Sequence, residues 1–257
     1  MATTESPKGV VAITGGSRGI GAAVARQVAA TGRDVAIIHR SDDAAAETLL
    51  SELRGSGVRA MRVKADVSDE AAITDAFAQI RSFGRLSGLV NSAGISGGRI
   101  PVDSLVGADL SRLFNVNVVG LMLCCREAVK QMAKSHGGQG GAIVNVSSFA
   151  AAIGGRGQLS HYAASKGAVD VFTIGAAKDL AKDGIAMFSI RPGVVATEMT
   201  SGNRANSDWL EKVEKSIAAG RIAQVDDIAA PIVRLLEPDM AYLTGSRIDA
   251  AGGGLVV

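Results

Sequence analysis

A serine, a tyrosine and a lysine in the second half of this chain have the types and spacing needed to handle the proton of a carbonyl or alcohol. Ser148 is followed fourteen positions later by Tyr162, and Tyr162 four positions later by Lys166. Residues four apart on a helix share a face, so the phenol and the ammonium are neighbours. A phenol has a reference pKa of about 10 and is a poor base at neutral pH. A nearby positive charge favours the phenolate and is expected to lower that pKa. Tyr162 can then give a proton to a carbonyl oxygen or take one from an alcohol. The Ser148 hydroxyl is expected to hydrogen-bond the same oxygen. Alone, a Tyr-x-x-x-Lys pair is also the ordinary face of an amphipathic helix, so the elements around it decide its weight.

Those elements alternate from start to finish. Val10 to Thr14, Asp34 to His39, Val58 to Lys64, Leu86 to Asn91, Ala142 to Ser147 and Ile185 to Arg191 read as strands, with a last one near Ser246 to Asp249. Several are apolar on both faces, as a buried parallel strand requires. Helical patterns fall between them at 19–31, 42–54, 69–82, 103–135, 161–182 and 225–236. Repeated strand–helix units predict an α/β fold, a doubly wound parallel sheet with right-handed crossovers and helices on both faces. Ser148 then ends the fifth strand, and Ser147 turns the other way by strand alternation. No linker divides residues 1–257, which read as one domain. The segment 198–222 departs most from the alternation and carries the only tryptophan, Trp209. Beyond a strand's carboxyl end, such an insertion is expected to be a substrate lid.

The first strand runs into Thr14-Gly15-Gly16-Ser17-Arg18-Gly19-Ile20-Gly21. Glycines let the backbone turn tightly against a pyrophosphate, and free N–H groups at the following helix's N-terminus hold the anion. The spacing is Gly-x-x-x-Gly-x-Gly rather than the general Gly-x-Gly-x-x-Gly. A glycine cluster is weak by itself in a chain with 32 glycines; its place between first strand and first helix gives it force. A carboxylate at the end of the second strand would bind the ribose 2′-hydroxyl of NAD. Here that strand ends in Ile37-Ile38-His39-Arg40-Ser41. Arg18 and Arg40 are expected to converge on a 2′-phosphate, with Ser41 beside them, which indicates NADP rather than NAD. Asp66-Val67, after the third strand, is expected at the adenine. Asn91-Ser92-Ala93-Gly94, after the fourth, is expected near the ribose and nicotinamide.

With these motifs in order, the chain resembles the short-chain dehydrogenase/reductase family over nearly its whole length. The glycine turn matches the family's nucleotide turn, and Asn91-Ser92-Ala93-Gly94 its Asn-Asn-Ala-Gly, with Ser92 replacing the second Asn. Tyr162-Ala163-Ala164-Ser165-Lys166 matches its Tyr-x-x-x-Lys, and Pro192-Gly193 with Thr197 its Pro-Gly-x-x-x-Thr, a stretch that includes Val195. The resemblance implies a Rossmann fold of seven parallel strands in the order 3-2-1-4-5-6-7 and a homotetramer. It implies Ser148, Tyr162, Lys166 and Asn117 as catalytic residues, with Lys166 on the nicotinamide ribose and Asn117 holding a water between Lys166 and solvent. The positive ring of the oxidised nicotinamide would add to the ammonium in favouring the phenolate. One departure stands out: thirteen residues separate Ser148 from Tyr162, one more than the commonest family spacing, which would place Phe149 in register. An extra residue in the loop 150–160 is the simpler expectation, because Phe149 cannot donate a hydrogen bond.

The remaining features exclude more than they assign. A formal net charge of +2, from 27 basic and 25 acidic side chains, gives no support for a nucleic-acid or membrane partner. Cys124 and Cys125 are adjacent in a helical stretch, where neighbours diverge and cannot bridge. The start, Met1 to Lys8, lacks the apolar core of a signal peptide, and the cytoplasm is the expected location. No His, Cys or carboxylate cluster has metal-ligand spacing, so no metal is expected. The favoured activity is NADP(H)-dependent interconversion of a ketone and a secondary alcohol. Alternatives are a sugar or polyol dehydrogenase using NAD(P), and an NADP-sensing regulatory protein without turnover. Epimerisation of sugar nucleotides asks for a larger C-terminal domain than the 65 residues after Pro192 provide. Enoyl reduction asks for wider Tyr–Lys spacing. Expected pocket residues are Ser96, Gly97, Ala150, Ile153, Gly154, Gln158, His161, Val194, Met199 and Trp209. The tail Gly252 to Val257 is expected at a subunit interface.

Overall fold

A computed structural model describes residues 8–254 of the chain. Its last three residues, the end of the expected interface tail, lie outside that range, as does most of the polar N-terminal stretch. In chain order the main elements are β1 (Val10–Thr14), α1 (Gly19–Ala30), β2 (Asp34–His39), α2 (Asp43–Gly55), β3 (Ala60–Lys64), α3 (Glu70–Phe83) and β4 (Leu86–Asn91). The second half comprises α4 (Gly107–Phe114), α5 (Gly120–Met132), β5 (Gly141–Val146), α6 (Ala150–Ile153), α7 (Ser160–Leu180) and β6 (Ile185–Pro192). Then come α8 (Glu198–Arg204), α9 (Ser207–Lys215), α10 (Val225–Leu235) and β7 (Arg247–Ala250).

The seven strands form one parallel sheet in the order β3-β2-β1-β4-β5-β6-β7, as expected. Strand alternation splits the core in two. Val11 and Ile13 of β1 face one layer with α1, α2 and α10, whereas Val10 and Ala12 face another with α3, α5 and α7. Helix starts are capped where the chain supplies a carboxylate. Asp42 accepts from Ala45 N at 3.0 Å, and Asp69 from Ala71 N and Ala72 N at 3.0 and 3.1 Å. Because β1 and β4 are parallel neighbours although far apart in sequence, the order in which strands are added across the sheet reverses between them. The carboxyl ends of β1, β4, β5 and β6 therefore open a crevice at that switch point.

Three expectations need correction. The third strand begins at Ala60, not Val58. The fifth ends at Val146, so Ser147 and Ser148 lie just beyond it rather than within and at its end. The long helix expected over 103–135 is broken. A 3₁₀ turn at Val102–Ser104 precedes α4, and a π-helical turn at Asn115–Val119 joins α4 to α5. The wider turn rotates Asn117 inward, where its side chain bonds both backbone groups of Ile95. By length and composition alone, Gly107–Met132 is apolar enough to cross a membrane. Here its second half packs on β4 and α3 instead.

Helix α5 begins where it presses on the loop after β3. A Cβ on Gly120 would lie 2.4 Å from the Val67 carbonyl oxygen. Backbone cannot yield as a flexible side chain would, so Gly120→Ala is expected to cost about 1–3 kcal/mol. Urea denaturation followed by circular dichroism measures that loss.

Candidate active site

The half of the crevice around the glycine turn is built from backbone. Gly15 follows β1 with φ +63°, and a Cβ on Gly21 would lie 2.3 Å from the Gly15 carbonyl oxygen. Only glycine lets the first turn of α1 sit directly on this loop, leaving a backbone-lined hollow at a helix N-terminus. Gly15, Ser17, Arg18, Gly19 and Ile20 line the crevice, while Gly21 lies behind them. Thr197 faces this turn: its Cγ2 would be 3.6 Å from a Cβ on Gly19. Thr14 Oγ1, at the end of β1, accepts from Ser92 N and Ala93 N at 3.1 and 3.2 Å, which ties the loop after β4 to the glycine turn.

Further along the same wall lie Arg40, Ser41, Asp66, Val67, Ala93 and Gly94. Arg18 Nη1 donates to Glu198 Oε2 at 2.7 Å, a bond that reaches from the glycine turn to the first residue of α8. Asp66 is occupied by its own turn, accepting from Ser68 N at 2.9 Å and Ser68 Oγ at 2.7 Å, and its carboxyl is held below the usual range. Burial opposes that shift; the Ser68 bonds and the charges of Arg40 and Arg112 carry it. Asn91 stays out of the crevice. It is buried, and its Nδ2 donates to Asn145 Oδ1 at 2.9 Å, pinning β4 to β5.

At the centre, α7 brings Tyr162 and Lys166 to the wall that Ser148 reaches from the loop after β5. Ser148 is hydrogen-bonded to the Tyr162 phenol, and its Oγ accepts from Ala150 N at 3.1 Å. Ser148, rather than Phe149, is the residue that meets the Tyr162 phenol. Ser147 turns away, donating to the Lys166 carbonyl at 3.1 Å. Lys166 Nζ donates to the Val146 carbonyl at 2.8 Å and stands 5.9 Å from the centre of the Tyr162 ring.

The titration of this pair departs from expectation. Burial pushes the Tyr162 phenol above its usual value, outweighing the bond from Ser148, rather than below it. Burial also pulls Lys166 down to about 8, partly offset by the Asp170 carboxylate. Burial costs the phenolate more than the Ser148 bond returns, so desolvation wins for the protein alone.

Asn117 is completely buried beneath the centre. Its Nδ2 donates to the Ile95 carbonyl at 2.9 Å and to Ser165 Oγ at 3.1 Å, and its Oδ1 accepts from Ile95 N at 2.9 Å. A Cβ on Gly94 would lie 3.3 Å from Asn117 Oδ1 and 3.5 Å from Lys166 Nζ, so a bare glycine separates these two side chains. Asn115 is exposed, as its position two residues away required.

Pro192, Gly193, Val194, Val195 and Thr197 complete the floor after β6. Thr197 caps α8 through a reciprocal bond with Thr200. Of the expected pocket residues, Gly154, Gln158 and His161 lie off the crevice wall, and the others line it. His161 is buried against Gly97, displaced by the turn of helix that presents its neighbour Tyr162. Reading the sequence missed Ile95, Phe149, Leu159, Val213 and Ile217 on the wall, and the arginines Arg99 and Arg156. It also missed His39, a buried wall residue whose ring nitrogens have no hydrogen-bond partner among the described residues. Its place as the last residue of β2 was the available signal. Cys124 and Cys125 are buried free thiols, Cys124 pushed up to about 12 by burial, which makes them inert packing groups. Among the described residues, no His, Cys and carboxylate group is arranged to hold a metal.

The chain is similar to known proteins over nearly its whole length. Residues 9–208 fit the family model described as short chain dehydrogenase. An uncharacterised oxidoreductase of Escherichia coli K12, YgfF, is 41% identical over 246 residues, covering 95% of this chain and 99% of its own. An L-rhamnose 1-dehydrogenase (NAD(P)(+)) of a Sphingomonas strain is 36% identical over 244 residues, covering 95% and 94%. A crystal structure of a short chain dehydrogenase from Burkholderia cenocepacia in complex with NADP superposes with a TM-score of 0.87 at 31% identity, covering 97% and 99%.

The buried lysine makes stability depend on pH. Folded, Lys166 loses its proton near pH 8, against an ordinary value of 10.5. Below pH 8 both states are charged and the burial cost is carried in full. Between those values the folded state sheds the proton first, so stability rises with pH. Denaturation midpoints across that window should rise for the wild type, and Lys166→Met should flatten the rise.

Proposed function

The chain belongs to the short-chain dehydrogenase/reductase family, and from that premise we propose that it interconverts a ketone and a secondary alcohol with NADP(H). The observation that carries this reading is the Ser148–Tyr162 hydrogen bond beside Lys166, on the wall that also holds the glycine turn. The backbone hollow made by the Gly21–Gly15 approach fits a dinucleotide, and the bare Gly94 beside Lys166 fits its ribose. A bound nicotinamide supplies the hydride in reduction and accepts it in oxidation. Tyr162 gives the proton to the carbonyl oxygen, and Ser148 holds that oxygen in place. Lys166, anchored by the Val146 carbonyl, orients the ribose and favours the phenolate as the proton leaves. Asn117 keeps the Ile95 loop and α7 in register around the reacting centre.

NADP is favoured by Arg18, Arg40 and Ser41 on the adenosine wall, where β2 ends without a carboxylate. Engagement of a 2′-phosphate by Arg18 competes with its bond to Glu198. Residues 198–222, which place Met199, Trp209 and Val213 over the crevice, act in this reading as the lid of a single domain. The family likeness extends the proposal to a cytoplasmic homotetramer acting on a small molecule. A second reading, oxidation of a sugar, is favoured by the likeness to the L-rhamnose 1-dehydrogenase. An NADP-sensing protein without turnover is disfavoured by the intact Ser148, Tyr162 and Lys166.

NADPH and NADH oxidation at about 340 nm, over a panel of ketones, diketones, 3-oxoacyl esters and, in reverse, sugars, tests the reading. Tyr162→Phe should lower kcat by about 10²-fold or more. Arg40→Ala should narrow the NADPH-over-NADH preference in kcat/KM by about tenfold, the loss of one charge-assisted contact. NADH preference in the wild type would sink the cofactor assignment and leave the proton chemistry standing.

A further inference from the structure

We propose that the carbonyl substrate carries an anionic group, a carboxylate or a phosphate ester, beyond an apolar segment, and that Arg156 with Arg99 reads it. The proposal rests on the ketone reduction argued above and names the substrate class for that site. On the substrate side of Ser148 and Tyr162 the wall is largely apolar, with Ile153, Leu159, Met199 and Trp209 among its residues. Ile153 and Met199 remain 41% and 53% exposed, more than packing alone requires of such side chains. The only charged side chains that the two wall loops 95–99 and 154–159 bring to the crevice are Arg99 and Arg156.

The position of Arg156 is built rather than incidental. Its loop carries Gly154, Gly155, Gly157 and Gln158 at positive φ, with Gln158 at +68° the single non-glycine so placed among the described residues. The loop is held in that shape by Arg99, whose Nη1 donates to the Gly157 carbonyl at 2.7 Å and the Arg156 carbonyl at 3.3 Å. Ile100 N adds a bond to the Gln158 carbonyl at 3.0 Å. Strained backbone at a crevice wall marks a segment held for what it presents. What it presents is a guanidinium. Among the described residues no carboxylate forms an ion pair with Arg99 or Arg156, although sixteen ion pairs satisfy other charged side chains.

The acidic residues of the crevice lie elsewhere. Asp42 and Asp66 flank the adenosine wall, Glu198 is paired with Arg18, and Asp109 shares a face of α4 with Arg112, whose charge acts on Asp66. The substrate end is therefore cationic at its rim and apolar within. A neutral ketone leaves the Arg156 guanidinium and the remaining donors of Arg99 without an anionic partner. A ketone ending in an oxyanion satisfies them with charge-assisted hydrogen bonds, for which the planar guanidinium is suited. The anion also fixes which way round the substrate lies, and so which face of the carbonyl the hydride reaches.

A homologous series of straight-chain methyl ketones ending in carboxylate tests this, each acid paired with its methyl ester and with the corresponding alkyl phosphate. With NADPH, kcat/KM for the best acid or phosphate should exceed that of its ester by about tenfold, mainly through KM. The ratio should fall toward unity in Arg156→Gln, recover in Arg156→Lys, and shrink with added salt. The acid and phosphate arms separate the two sources of anion. Equal rates on acid and ester, or discrimination that survives Arg156→Gln, overturn the anionic substrate and leave ketone reduction standing. Higher kcat/KM for a neutral sugar than for any anionic ketone also overturns it. Turnover that persists in Tyr162→Phe overturns the ketone-reduction reading beneath it, whatever the charge preference.

Discussion

The placement of one ammonium governs the architecture of the crevice. Lys166 is nearly fully buried, and a buried cation is tolerated only when hydrogen-bonded and close to compensating charge. Its Nζ is met by the Val146 carbonyl, the last residue of β5, and its charge is favoured by Asp170 one turn along α7. That contact requires α7 to lie across the end of β5 at a set depth. The same depth places Tyr162 beside Ser148, and Ser147 against the Lys166 carbonyl. Gly94 leaves the space above, and the inward rotation of Asn117 closes the space beside it. Five segments thus converge on one side chain that would otherwise be costly to bury.

The two halves of the crevice rest on different physics. The half around the glycine turn is a backbone surface, in which Gly21 sits against Gly15 and Thr14 ties the turn to the loop after β4. Such a surface offers N–H dipoles and little room for variation. The other half is made of side chains from α6, α8, α9 and the loops before them, and its character is set by which residues those loops present. The Arg18–Glu198 bond joins the halves across 180 positions of sequence. Both partners are more than half exposed, so the bond contributes little to stability. Its interest lies in linking the glycine turn to α8 on the opposite wall of the crevice.

Much of this was legible before folding because βα repeats translate directly into topology. Apolar runs such as Val10–Thr14 and Ile185–Pro192 are buried along almost their whole length, and such runs between amphipathic segments admit few arrangements other than a parallel sheet. Where the reading of helix 103–135 failed, the cause was local. Asn117 exchanges regular helical geometry for two bonds to Ile95, a partner 22 positions away that periodicity cannot reveal. The pKa of Tyr162 was misread for a related reason. Sequence shows the neighbouring ammonium four residues on, but not the burial that lowers its pKa and raises that of the phenol.

The strand order came with the family resemblance; by itself, the sequence indicated the family, the parallel α/β sheet and the groups proposed to move a proton. Those follow from residue type, spacing and chain order, which are properties of the string. Tertiary structure alone decided that Ser148, and not Phe149, meets the Tyr162 phenol. It alone placed His161 against Gly97 and His39 on the crevice wall. It also set Arg99 across the chain to hold the loop that presents Arg156. These outcomes depend on contacts between segments tens of residues apart, and on how far each is shielded from water. Neither distance nor desolvation is written in local pattern.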